Sequence, residues 1–164
     1  MKFILASHNK GKIAEMQAVL GELGIEVVMP GDLGITVDVE ETGTTFAENA
    51  ALKARAIRDT SGLPAIGDDS GLCVDWLGGA PGVYSARYGG LDDDKARYTL
   101  LLQNLRGATN RGAHFHTSIV CAFPNGDELT AEEKNAISHR GIALRAFAEE
   151  LKEYLEKNEY GTDK

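Results

Sequence analysis

Gly67-Asp68-Asp69-Ser70-Gly71 closes the apolar run Leu63 to Ile66, and a second apolar run, Leu72 to Trp76, follows it. The pattern predicts two short strands, Ala65 to Ile66 and Leu72 to Trp76, flanking an acidic loop. Two adjacent carboxylates repel each other unless a cation or a shared proton offsets the charge. Carboxylate oxygens at a strand end are a common way to hold a hard metal ion beside a substrate.

Upstream, Lys2 to Ala6 reads as a buried strand. Ile13, Met16, Leu20 and Leu23 recur at helical spacing, and Gly24 is placed to stop that helix. Ile25 to Met29 is a second strand before Pro30-Gly31, so the chain opens in a βαβ manner. The loop between the first strand and helix is Ser7-His8-Asn9-Lys10-Gly11-Lys12. Backbone N–H groups at a helix N-terminus favour anions, and Ser7, Asn9 and Lys12 add donors and charge, as a phosphate clamp needs. It is not a Walker A loop, because no second Gly-Lys-Ser element follows.

Thr36 to Glu41 reads as an extended acidic segment ending in Glu40-Glu41. Thr45 and Glu48 form a capping-box pattern for a helix running to about Thr60 that buries Phe46, Ala50, Ala54 and Ile57. Asn49 and Lys53 share another face, four residues apart, and are expected to point at one ligand. Glu40-Glu41 with Asp68-Asp69 make a candidate magnesium site from two distant segments.

Downstream, Gly78 to Gly90 reads as an ordered glycine-rich loop with Tyr84, Arg87 and Tyr88 interleaved. Asp92, Asp93 and Asp94 suit a helix start, and that helix is expected to bury Tyr98, Leu101, Leu102 and Leu105. His114 to Phe123 is the clearest strand, with Phe115, Thr117, Ile119, Cys121 and Phe123 on one face. His114 and His116 share a face, but no matching Cys or acidic cluster makes them a zinc pair. Pro124-Asn125-Gly126 is a turn. Ser138 is placed to cap a last helix with the stripe Leu144, Phe147, Leu151 and Leu155, and Asn158 to Lys164 is a frayed tail.

The 164 residues fit one domain with a real core, and the expectation is a single domain over 1–164. A net charge of −8 argues against a nucleic-acid polymer as partner, though placed lysines still accommodate a mononucleotide. Cys73 and Cys121 are too few for a disulfide scaffold, which points to a reducing cytoplasm. No apolar run reaches membrane length.

Several motifs stand in one order through most of the chain: Ser7-His8-Asn9-Lys10-Gly11-Lys12, then Glu40-Glu41-Thr42-Gly43 through Lys53-Ala54, then Asp68-Asp69-Ser70-Gly71-Leu72. Gly78-Gly79-Ala80-Pro81-Gly82-Val83-Tyr84-Ser85-Ala86-Arg87 and Glu133-Lys134-Asn135-Ala136-Ile137-Ser138-His139-Arg140-Gly141 complete the set. With them the chain resembles the inosine triphosphate pyrophosphatase family, also described as Ham1-like or RdgB-like dITP/XTP pyrophosphatases. The resemblance implies an elongated mixed α/β sheet with flanking helices, in two lobes around a central cleft. It implies a homodimer that hydrolyses ITP, dITP and XTP, with Mg2+, to the monophosphate and pyrophosphate.

By that resemblance, Ser7, Asn9, Lys12 and Lys53 hold the triphosphate. Glu41, with Glu40 assisting, and Asp69 engage magnesium. Asp69 is also the general base, Ser70 touches substrate, and Lys134, His139 and Arg140 approach the base. From the residues alone, the choice between Asp68 and Asp69 stays open, because coupled carboxylates share their titration. The family also carries a Gly-Phe-Gly-Tyr-Asp-Pro segment that stacks on and reads the purine. Here Phe123-Pro124-Asn125-Gly126-Asp127 runs almost directly into Glu133-Lys134, so the second lobe is shortened. Lost stacking costs about 1–3 kcal/mol per base. That keeps two other readings open: a nucleotide-binding chain that does not turn over, and a triphosphate phosphohydrolase with relaxed base selectivity.

Overall fold

The computed structural model describes residues 1–135 and 140–158. Among the described residues, five strands form one sheet in the order β2-β1-β3-β4-β5. β1 (Lys2–Leu5) is parallel to β2 (Glu26–Val28) and to β3 (Ala65–Val74). β4 (Ala113–Ala122) and β5 (Glu128–Asn135) continue the sheet antiparallel. This is the expected mixed α/β sheet with flanking helices.

The first helix, α1 (Lys10–Leu20), starts where Asn9 caps it: the Asn9 Oδ1 accepts from the amides of Gly11 and Lys12. A 3-10 turn, Gly21–Leu23, then ends at Gly24, whose φ of 74° only glycine adopts at little cost. The second, α2 (Phe46–Ser61), carries the expected capping box, with Glu48 reaching back to Thr45 and the Glu48 amide donating to Thr45 Oγ1. α3 spans Asp94–Asn104 and α4 spans Arg140–Lys157. Phe147, Leu151, Leu144 and Leu155 of α4 pack with Met16 and Leu20 of α1 on Ile66, Ile119 and Cys121, so α1 and α4 cover one sheet face. On the other face, Ala50, Ala51 and Ala54 of α2 pack on Val120 and Ala122. Small residues at this contact let the helix lie close to the sheet.

Two expectations about local structure fail. Residues 65–74 form one uninterrupted ten-residue strand, with no acidic loop inside it. The flanking glycines serve close approach instead of a turn. A Cβ on Gly67 would collide with the Ala50 carbonyl of α2, and one on Gly71 with the Gly82 carbonyl and Ser85 Oγ. The second failure is α3, which starts as expected with Asp93 accepting from the Ala96 amide. It buries no residue of its own: Tyr98 is 52% and Leu102 53% exposed, and only Leu105, just past its end, is buried. Its apolar residues follow a helical period, and among the described residues none of them is buried.

Candidate active site

Successive residues of a strand point to opposite sides of the sheet. Because 65–74 is a strand, Asp68 and Asp69 face away from each other. Asp68 lies on the α1 side, 1% exposed, and its carboxylate receives the Lys12 ammonium at 3.2–3.3 Å. Asp69 lies on the α2 side. Its Oδ2 accepts from Asn49 Nδ2 at 3.1 Å and its Oδ1 from the Ser70 amide at 3.1 Å. The two carboxylates do not share one site, and the expected coupling between them falls away.

On the Asp69 side the distant acidic segment returns. Glu41 pairs with Lys53 at 3.0 Å, and the Lys53 ammonium also donates to the Asp68 main-chain oxygen. Burial pushes the Asp69 carboxyl above the ordinary carboxylate range, and nearby Glu41 adds to that; Lys53 and the Asn49 amide oppose it. Glu41 and Lys53 thus both act on the charge of Asp69, and pair with each other. Glu40, next in chain, is exposed.

Asn49 behaves differently from expectation. It is wholly buried and points at Asp69 and at the Gly43 amide, which donates to its Oδ1 at 2.7 Å. It therefore ties two protein segments together and has no face left for a ligand. Arg87 was not singled out by spacing. Its guanidinium donates to the Glu41 carbonyl at 3.3 Å, lies 3.6 Å from the Glu41 carboxylate, and sits over the Tyr84 ring at 5.1 Å. Its sequence signals are its place among the aromatic residues of the glycine-rich segment and at the end of the Gly78 to Arg87 motif.

Ser7 and Asn9 stand at the α1 N-terminus, where Ser7 Oγ accepts from the Asn9 amide at 3.1 Å. A hollow of about 140 Å³ opens beside them, lined by Ser7, His8, Asp38, Val39 and Lys53 among others. The loop and the Lys53 ammonium therefore border one space. Ser70, one residue on from Asp69, turns to the Asp68 side.

The late motif is split. Lys134 is exposed on β5 opposite His116, and Glu132 opposite Ser118 receives the Ser118 hydroxyl at 2.9 Å. Paired residues share a sheet face, and the His116 ring packs at 4.7 Å on Phe46 of α2. Lys134 is thus on the Asp69 side, two strands away. Burial pushes the His116 imidazole below its ordinary value. Ser138, the expected cap of α4, and His139 lie outside the described residues, as does the tail 159–164. Of Arg140 only its place at the start of α4 is described.

A further strand, β5, was not expected. The Asp127 carbonyl accepts from the Phe123 amide at 2.9 Å, closing the hairpin that leads into it. Tyr154 of α4 donates to Asp127 at 2.6 Å and packs its ring 4.3 Å from that of Phe123. Arg55 of α2 holds Glu128 with two hydrogen bonds at 2.5 and 2.8 Å. The short connection thus ends in a pinned edge strand.

Among the described residues no group of three or more His, Cys, Asp or Glu side chains is placed to hold a metal ion. Two carboxylates, Glu41 and Asp69, are a donor set of the kind magnesium takes together with water and phosphate oxygens, since it seldom takes an all-protein cage.

The model of the Ham1 family matches residues 3–129. The dITP/XTP pyrophosphatase of Streptomyces coelicolor is 41% identical, over 94% of this chain and 98% of its own length. That of Yersinia pseudotuberculosis is 40% identical, over 93% and 98%. The first alignment extends over 197 residues against a chain of 164, so the relative carries residues with no counterpart here. Among solved structures, a HAM1 protein from Coxiella burnetii superposes with a TM-score of 0.79 at 30% identity, over 96% of this chain and 99% of its own. The Staphylococcus aureus Ham1 protein gives 0.76 at 37% identity, over 82% and 69%. Sequence and backbone agree on one relationship along most of the chain, and the chain belongs to the Ham1 family.

Proposed function

We propose that this chain hydrolyses non-standard purine nucleoside triphosphates, dITP and XTP with ITP as the ribonucleotide counterpart, to the monophosphate and pyrophosphate. The relatives' names supply the substrate class. The observation that carries the chemistry is the division of labour across β3: Asp69 faces Glu41 and Lys53, while Asp68 is occupied by Lys12.

In this reading Ser7, Asn9, Lys12 and Lys53 receive the triphosphate around the α1 N-terminus, where Ser7 and Lys53 line the hollow. A water attacks the α-phosphorus in line, Asp69 takes its proton, and the bond from the α-phosphorus to the bridging oxygen breaks. Pyrophosphate leaves with its charge offset by the lysines. Glu41 and Asp69, with Glu40 assisting, are the residues to hold Mg2+. Bound there, Mg2+ would withdraw charge from phosphate oxygens. Ser70 is assigned to substrate, and Lys134, His139 and Arg140 to the base. The cellular setting consistent with two free cysteines is a reducing cytoplasm, and the assembly is a homodimer.

The absent residues of the late segment favour a weaker grip on the base than full-length relatives have. A triphosphate phosphohydrolase with relaxed selectivity is the competing reading. Incubation with ITP and magnesium separates them. Pyrophosphate in step with IMP supports the proposal. Orthophosphate with IDP overturns it.

A further inference from the structure

We infer that Asn49 is a positioning residue: it aims the Asp69 carboxylate and holds it in register with the Glu41 segment. The inference rests on the function proposed above. Asn49 is fully buried in the first turn of α2, where an amide without partners would cost free energy. What keeps it there is that both ends of its carboxamide are used. Nδ2 donates to Asp69 Oδ2 at 3.1 Å, and Oδ1 accepts from the Gly43 amide at 2.7 Å. Gly43 stands two residues after Glu41, so one side chain fixes the β3 carboxylate to the acidic segment.

The fit is tight from the other side as well. A Cβ on Gly43 would fall 2.6 Å from Asn49 Oδ1 and 2.7 Å from Glu48 Cβ, closer than real Cβ contacts come. The bond from Asn49 and that from the Ser70 amide each take one lone pair on a different Asp69 oxygen. Each oxygen keeps another, so the carboxylate is held in one rotamer with acceptor capacity to spare. A proton acceptor works only within hydrogen-bond reach of its water, and misplacement by an ångström costs up to ~100-fold in rate.

Three variants divide the roles. Asn49→Asp keeps size and the acceptor for Gly43 but has no N–H for Asp69. Asn49→Leu removes the N–H without adding charge. Gly43→Ala pushes on the clamp from outside the catalytic groups. Each is measured for kcat and KM on ITP with magnesium, for affinity toward a non-hydrolysable triphosphate analogue by calorimetry, and for thermal unfolding. The expectation for both Asn49 variants is a kcat lower by roughly 10- to 100-fold, with KM and analogue affinity within about threefold, and a smaller kcat loss in Gly43→Ala. Folded Asn49→Asp with wild-type kcat would overturn the inference alone, since the Gly43 bond would then be all that matters. A kcat loss in Asn49→Asp but not in folded Asn49→Leu would overturn it too, by tracing the effect to added charge. Wild-type protein that releases no pyrophosphate would overturn the proposed function, and the inference with it.

Discussion

Asp68 and Asp69 are adjacent, yet they occupy two chemically separate compartments. The α1 side offers Asp68 a lysine, near-complete burial and a place at the margin of the main core. The α2 side offers Asp69 a second carboxylate, a shared lysine and an oriented amide. A strand separates them at no cost, because alternation is built into its backbone. One carboxylate is thereby tied to the Lys12 ammonium, and the other, the proton acceptor in the proposed function, is held by an amide. The lesson is that a pair of like charges in sequence need not be a pair in space.

The sharpest way to break this contrast is to neutralise each partner separately. Asp69→Asn should reduce kcat by ~10²–10⁴-fold, the usual worth of a positioned proton acceptor, with unfolding in denaturant unchanged. Lys53→Met should come next, with kcat/KM down because both the Glu41 pair and the leaving-group charge are lost; steady-state kinetics on ITP would show it. Asp68→Asn should behave in the opposite manner to Asp69→Asn: turnover partly kept, but stability lower by roughly 1–3 kcal/mol in urea, since a charged hydrogen bond to a buried acceptor is weakened.

A pH series adds a sign to the comparison. Asp69 must be ionised to accept a proton, and burial raises its carboxyl. The acid limb of kcat/KM should therefore be governed by a group above the ordinary carboxylate range, falling as pH drops through it. A limb at the value of an exposed carboxylate would assign the proton acceptor elsewhere.

The smallest effect is expected at the shortened hairpin. Arg55→Ala removes the pair to Glu128, which is half-exposed on the arginine side, and should cost about 0.2–1 kcal/mol in urea unfolding. Hydrogen bonding to Arg55 lowers the Glu128 carboxyl. Its stabilisation is therefore present above the unfolded carboxylate value and is lost as pH falls through the lowered one. The deficit of Arg55→Ala should shrink over that acid interval.

Much of this was legible in the sequence because it is local. The capping box of Thr45 and Glu48, the stop at Gly24 and the α4 stripe all follow from spacing, and all hold. What failed needed tertiary knowledge. The glycines around Asp68-Asp69-Ser70 look like loop residues, but they exist because α2 and the segment at Gly82 press on the strand. Tyr98 and Leu102 follow a helical period, yet nothing among the described residues buries them. Asn49 and Arg87 act on other side chains of the site, which no one-dimensional spacing reveals. β5 carries polar and charged residues in an edge strand with no clean alternation to announce it. Ser138 and His139, read from the sequence as a helix cap and a base contact, lie outside the described residues.

The most direct test compares Asp69→Asn with Asp68→Asn on ITP and magnesium, measuring pyrophosphate and orthophosphate from protein verified as folded. Pyrophosphate is expected from wild type and, at a reduced level, from Asp68→Asn, with Asp69→Asn near background. Turnover retained in Asp69→Asn and abolished in Asp68→Asn would contradict the assignment of the two faces.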